Sequence, residues 1–172
     1  DGLCDHGVFL LIYLSLALSL GTAGGWWLAV AAGAAHAVQA TLYEGERTRF
    51  HRRLRGDTAA GIARPSGYRL VRLYDAVAGS FDRLAADFDR SLRAASDADA
   101  MLASYGARAA RPLKLMALLS NNARLVLIFL ACLAGDPRWF WLIELTLLTA
   151  IAAIGLVRLR TIERRMVRAR GF

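Results

Sequence analysis

Two long apolar stretches, about residues 7–43 and 113–157, flank a polar, arginine-rich middle, and this distribution limits the fold more than any short motif does. Between Asp5 and Glu44 the chain contains no Asp, Glu, Lys or Arg. A membrane span needs roughly 20 residues, at 1.5 Å each, to cross about 30 Å of hydrocarbon. Each stretch is long enough for two spans joined by a short turn. The first breaks at Gly21-Thr22-Ala23-Gly24-Gly25 and resumes with Trp26-Trp27. The second breaks at Gly135-Asp136-Pro137-Arg138 and resumes with Trp139-Phe140-Trp141. Aromatic residues at such places read as an interfacial belt. The expected fold is all-α, a polytopic membrane helical bundle with four transmembrane helices, about 5–21, 26–44, 113–134 and 138–158, plus a cytosolic or interfacial helical insert.

The charges orient these spans. All Lys and Arg except Arg124 and Arg138 lie in 44–114 or 158–170, on one side of the four-span arrangement. By the positive-inside rule that side is cytosolic. Asp1 and Asp5, one span away from the Gly-rich turn, are then cytosolic too. The net charge of +8 is mainly a topology signal that also suits anionic headgroups, at about 1 kcal/mol per basic residue near the surface. The basic residues flank spans instead of forming a soluble basic domain, which argues against nucleic acid as a partner. Cys4 and Cys132 fall near opposite membrane faces and cannot pair, and no zinc-type spacing exists. The acidic start lacks the basic region and cleavage site of a signal peptide.

The expected organisation is a helix pair over 1–44, a cytosolic amphipathic insert over 45–112, a second pair over 113–160 and a basic tail over 161–172. In the second span His36, Gln39 and Tyr43 share one face, which runs into the cation-rich segment Arg47, Arg49, Arg52, Arg53 and Arg55. By default that segment is a solvated flank; its functional reading is a contact with an anionic acceptor or lipid. The apolar residues Leu70, Leu73, Tyr74, Val77, Phe81, Leu84, Phe88 and Leu92 recur at three- and four-residue steps, predicting an amphipathic helix over about 67–95. Ser96 or Asp97 is expected to cap a short helix ended by Gly106, with Pro112 in the first turn of the third span. That span carries Ser120-Asn121-Asn122-Ala123-Arg124. A charged Arg there costs several kcal/mol unless it has a partner. Reflection through the 135–136 turn brings Glu144 within one helical turn of Arg124. An Arg124–Glu144 ion pair is one reading; phosphate binding by Arg124 and Asn121 is the other.

Asp1 and Asp5 stand four apart at the mouth of the first span. This spacing places both carboxylates on one helix face, with Cβ atoms roughly 5–6 Å apart. Two acids at a helix N-terminus are also favoured by the helix dipole alone. With the topology, Asp1-x3-Asp5 resembles the end of the CDP-alcohol phosphatidyltransferase signature, D-x2-D-G-x2-A-R-x8-G-x3-D-x3-D. The resemblance implies that the first half of the motif precedes residue 1, that the four spans are the third to sixth of six, and that these residues alone are inactive. It implies transfer of a phosphatidyl-type group from a CDP-alcohol, such as CDP-diacylglycerol, to a hydroxyl acceptor with release of CMP. It makes Asp1 and Asp5 ligands in a two-metal site for Mg²⁺ or Mn²⁺, and Asp5 the catalytic base. By location, His36, Gln39, Arg47, Arg49, Arg52, Asn121 and Arg124 are candidate substrate-binding residues. The implied setting is a plasma (bacterial inner) membrane, with the active site on the cytosolic side, membrane lipids as partners and a homodimer as the assembly. The competing class is a non-enzymatic multi-span protein or transporter fragment whose basic insert binds anionic lipid.

Overall fold

The computed structural model of the chain describes residues 2–56 and 85–169, excepting the side chains of residues 2–6. These residues are helical throughout, with no strand among them. In order they form α1 (Gly2–Leu20), α2 (Ala23–Leu54), α3 (85–94), α4 (Ala98–Met116), a 3-10 turn (Ala117–Leu119), α5 (Asn121–Leu133), α6 (Arg138–Ile143), a π-helical turn (Glu144–Leu148) and α7 (Thr149–Arg168). The chain divides into two compact units. One takes Asp1–Ala40 and Ala117–Ala152, the other Thr41–Met116 and Ala153–Phe172.

The first unit is built on rings. Phe9, Tyr13, Phe140 and Trp141 are buried together with Ala17, Ala29, Ala32 and Ala131. Small residues at these helix positions leave volume for the aromatic ones. Tyr13 meets Phe140 edge-on, with ring centroids 5.6 Å apart, and lies near-parallel to Trp141 at 6.4 Å. Such pairs contribute about 0.5–1.5 kcal/mol beyond the area they bury. The Trp139-Phe140-Trp141 run expected as an interfacial belt is therefore divided. Trp139 points outward while Phe140 and Trp141 are core residues; at about 100° per residue three consecutive side chains span about 200°, so one of them falls off the buried face. The outer surface of this unit is strongly apolar, with Leu10, Leu11, Leu18, Trp27, Val30, Leu125, Val126, Phe129 and Leu133 all exposed.

In the second unit Leu42, Ala85, Phe88, Leu92, Met101, Tyr105, Ala109, Met116, Leu159 and Met166 are buried. Residues 57–84 lie outside the described ones, and with them most of the amphipathic helix expected over 67–95. Its end, 85–94, is helical and buries Phe88 and Leu92 from the expected apolar face.

Several expected boundaries are corrected. Helix α2 begins at Ala23, not after the glycines, and continues to Leu54, past the charged residues at 44–53. The cation-rich segment is therefore helical. Helix α4 does start after Asp97, whose Oδ1 accepts from the Ala100 N–H at 3.3 Å. It does not stop at Gly106, and Pro112 lies inside it. Met101, Tyr105, Ala109, Pro112 and Met116 form one buried stripe at steps of three and four. Burial of that stripe outweighs the helix-breaking tendency of single residues, the usual outcome when tertiary packing opposes propensity. Gly106 has a packing reason as well, since a Cβ there would approach Leu54 Cδ2 at 3.0 Å.

The third expected span is not one helix. Ser120 takes an extended backbone (φ −70°, ψ 155°), and its Oγ accepts from the Ala123 N–H. A serine N-cap inside an apolar run starts a new helix, because it satisfies a donor that the preceding turn does not. Gly135, at φ 82°, ends α5 and turns the chain back. The last three elements make a continuous helical run, Arg138–Arg168, of 31 residues whose best 18-residue window has a mean hydropathy of 2.2. This is the one helix among the described residues that is long and apolar enough to cross a membrane. The count becomes two if the bent pair Ala98–Leu119 and Asn121–Leu133 acts as one span.

A close approach within the second unit supplies a stability test. A Cβ at Gly155 would overlap Met116 Cγ and Sδ, and Met116 is fully buried. Gly155→Ala is expected to destabilise the protein by about 1–3 kcal/mol through overpacking. In a double-mutant cycle followed by thermal unfolding, Met116→Ala should remove the penalty that the alanine adds at 155.

Candidate functional site

The buried face of α2 reads Ala32, His36, Gln39, Leu42, Glu46, Arg49 and Arg53, at steps of three and four. It is a single helical stripe whose character changes from apolar to charged along its length. Each unit takes part of it and builds a polar network around it.

In the first unit the centre is Arg124, on the first turn of α5, paired with Glu144 at the start of the π-helical turn; both are 0% exposed. Arg124 Nε donates to both Glu144 carboxylate oxygens at 3.1 Å, and Nη2 donates to Glu144 Oε1 at 3.1 Å. Nη2 also donates to Gln39 Oε1 at 2.8 Å, and Nη1 donates to the Leu119 carbonyl. Two local irregularities supply these partners. The helix break at Ser120 leaves the Leu119 carbonyl available. The π-helical turn leaves the Glu144 carbonyl free to accept from Gln39 Nε2 at 3.2 Å and from the Thr149 hydroxyl at 3.2 Å. Gln39 Nε2 lies 3.0 Å from Thr149 Oγ1 as well, so its amide is held at both ends. π-helical turns are rare and occur mostly as single turns inside α-helices, frequently at functional sites. Tyr13 sits against Glu144, and its hydroxyl is 3.5 Å from His36 Nδ1. His36 packs on Phe9, with ring centroids 4.5 Å apart.

The second unit holds an alternating chain of charges. Arg49 donates to Glu46 at 2.5 Å, Glu46 also accepts from Arg160, and Arg160 pairs in turn with Glu163. Glu163 accepts from Arg53 Nη1 at 2.6 Å. Arg53 Nε donates to Asp89 at 2.7 Å, and Asp89 lies 3.9 Å from Arg52. Arg53 is the hub. It is 1% exposed, it donates to the Tyr105 hydroxyl at 2.9 Å, and its guanidinium lies over the rings of Phe88 at 4.7 Å and Tyr105 at 5.1 Å. It thereby ties α2 to α3, α4 and α7. Burial would lower the Arg53 pKa, but Tyr105, Glu163 and Asp89 outweigh it and hold the guanidinium charged. Burial also pushes the Tyr105 phenol up, against the opposing pull of Arg53.

The sequence-predicted residues distribute as follows. His36, Gln39 and Arg124 come together in the first unit, with Asn121 half-buried at the start of α5. The Arg124–Glu144 pair is formed, and the guanidinium is engaged on every side by protein groups. Arg49 lies in the buried charge chain, Arg52 is a quarter exposed beside Asp89, and Arg47 is exposed and pairs with Glu44 at 3.2 Å. The default reading of the arginine segment as a solvated flank is thus corrected for Arg49 and Arg53, which face inward because they share the stripe of Leu42 and Glu46. Asp1 lies outside the described residues. Asp5 is on α1, and its side chain lies outside them too. Among the described residues no group of three or more His, Cys, Asp or Glu is arranged to hold a metal ion.

Tyr13, Glu46, Asp89, Thr149, Arg160 and Glu163 went unselected in the sequence. For Glu46 and Arg49, and for Arg160 and Glu163, the signal was present as opposite charges three apart on a helix. Comparison of the chain with protein-family models, with curated proteins and with solved structures finds no match.

Removing one member of a buried ion pair leaves the other uncompensated, at a cost of about 3–5 kcal/mol, whereas replacing both by apolar groups is often close to neutral. Arg124→Leu alone is therefore expected to lower the unfolding temperature sharply, and Arg124→Leu with Glu144→Leu to recover most of the loss, read by thermal unfolding in detergent. Tyr105 gives a pH test. Its folded pKa lies above its unfolded value of about 10, so its contribution is present below pH 10 and is lost as the pH rises through the folded value. Tyr105→Phe should flatten the alkaline limb of the stability–pH profile.

Proposed function

We propose that the chain is part of an integral-membrane transferase that moves a phosphatidyl-type group from a CDP-alcohol to a hydroxyl acceptor. The observation that carries this reading is Asp1-x3-Asp5 at the head of an apolar stretch, in a chain whose Lys and Arg, except Arg124 and Arg138, are confined to 44–114 and 158–170, segments that the proposed topology puts on the same side as that pair. The four-span arrangement, 5–21, 26–44, 113–134 and 138–158, belongs to the same proposal. The outward apolar side chains of α1, α2, α5 and α6 support it, because exposed apolar surface of that extent suits lipid better than water.

In this mechanism the acceptor hydroxyl attacks the donor phosphorus attached to the diacylglycerol oxygen. The bond from that phosphorus to the bridging oxygen of the pyrophosphate breaks, and CMP departs with the bridging electrons. Asp5 takes the proton from the attacking hydroxyl, and Asp1 and Asp5 are the residues that would hold Mg²⁺ or Mn²⁺. Paired divalent ions supply charge neutralisation at a pyrophosphate and at the leaving oxygen. Carboxylates are the hard oxygen donors that such ions prefer. The Arg124–Glu144–Gln39 network acts in this scheme by fixing the spans, and Arg47, Arg52 and Arg55 are the members of the cation-rich segment with exposure enough to meet an anionic acceptor.

The test uses the intact gene product in membranes supplied with CDP-diacylglycerol and candidate acceptors. Metal-dependent release of CMP is expected, with loss of at least 100-fold, roughly the scale of a missing general base, in Asp5→Asn, and a comparable loss in Asp1→Asn. Full activity in the double variant would overturn the assignment.

A further inference from the structure

The outward face of α7 changes chemistry within one turn. Ile154 and Val157 are exposed and apolar; Arg158, Thr161, Arg164, Arg165 and Arg168 are exposed and polar or cationic. At 100° per residue these seven positions fall within about 120° of one another, so they form a single stripe. The opposite side of the same helix is inside the second unit, with Leu159, Arg160, Glu163 and Met166 buried. The buried arginine of this segment, Arg160, is paired with Glu46 and Glu163, whereas the four exposed ones make no ion pair among the described residues. The exposed charges are thus not needed to close the fold. Within the same unit α4 likewise turns Arg108, Arg111 and Lys114 outward.

We propose that this face of α7 is a binding surface for anionic phospholipid headgroups, with Ile154 and Val157 against acyl chains and Arg158, Arg164 and Arg165 against phosphates. An apolar-to-cationic change on one continuous face fits a membrane boundary. Hydrocarbon takes the aliphatic part, and the guanidinium stems lie along apolar surface while their heads reach phosphate. A soluble acidic partner would meet the arginines but would leave Ile154 and Val157 in water. The geometry also ranks the arginines. For a helix near the membrane normal, Arg158 is one residue beyond Val157, Arg164 and Arg165 are about 10–12 Å beyond it, and Arg168 about 16 Å, so screening weakens their attraction to a headgroup plane in that order. This inference is independent of the transferase reading, which uses Asp1 and Asp5.

The test reconstitutes the purified full chain in nanodiscs drawn from mixed phosphatidylcholine and phosphatidylglycerol and measures, by mass spectrometry, the lipid retained around it. Phosphatidylglycerol should be enriched at about 50 mM salt and lose most of that enrichment at about 500 mM, where screening is several-fold shorter. Arg158→Gln should reduce the enrichment up to about fivefold, Arg164→Gln and Arg165→Gln less, and Arg168→Gln least. Arg158→Lys should retain the enrichment. Arg138→Gln, which removes an exposed arginine held by Asp136, should leave it unchanged, as should Asp1→Asn with Asp5→Asn. All four arginines are exposed, so circular dichroism should be unaltered. Undiminished enrichment in the Arg158, Arg164 and Arg165 triple glutamine variant would overturn the proposal, as would no phosphatidylglycerol preference at low salt. Displacement of the lipid by inorganic phosphate at constant ionic strength would also overturn it, by showing a free-phosphate site.

Discussion

Each unit of this protein is arranged around one buried guanidinium that protein groups surround, Arg124 in the first and Arg53 in the second. An arginine removed from water without partners carries a penalty of several kcal/mol, far above the contribution of any single apolar contact. Arg124 is served by Glu144, Gln39 and the Leu119 carbonyl. Arg53 is served by Asp89, Tyr105 and Glu163. The irregularities of the backbone follow from the first of these. The helix break at Ser120 and the π-helical turn at Glu144 each leave a carbonyl available that an uninterrupted α-helix would have used internally. The polar residues between them, Gln39 and Thr149, then bridge what the helices leave unpaired.

Helix α2 carries this requirement through both units. Its inner stripe is apolar at Ala32, polar at His36 and Gln39, and charged at Glu46, Arg49 and Arg53. A helix with such a gradient matches an environment that changes along its axis. The same ordering appears on the outside of α7, from Ile154 and Val157 to the arginines beyond. The α2 gradient concerns core contacts, whereas the α7 gradient lies on the surface and is the one on which the proposed lipid contact rests.

Much of the helical character was legible in the sequence, and for identifiable reasons. The glycine turns at 21 and 135 take positive φ, the conformation that glycine alone reaches cheaply, and they end α1 and α5 close to the expected places. The Arg124–Glu144 pair followed from simple reflection of two helices about the 135–136 turn, because antiparallel neighbours bring equidistant residues level. Less legible were the elements decided by competition. Gly106 and Pro112 are breakers locally, yet α4 runs through both because its buried stripe is continuous. Ser120 looked like an expensive polar residue within a span, and it is the cap of a new helix.

From residue types and their order alone come the helical class, the two apolar stretches, the segregation of basic residues, the three-apart charge pairs and the Asp1–Asp5 spacing. Those features depend on periodicity and composition, which a chain carries before it folds. Tertiary structure decided which arginines are inside. Arg47, Arg49, Arg52 and Arg53 belong to one sequence cluster, but Arg49 and Arg53 are buried while Arg47 is exposed. The pairing of Arg53 with Asp89 and Glu163, and of Arg160 with Glu46, spans long distances along the chain. Only the packing of α2, α3, α4 and α7 brings those charges to within hydrogen-bonding distance, where removal from water makes each depend on the next.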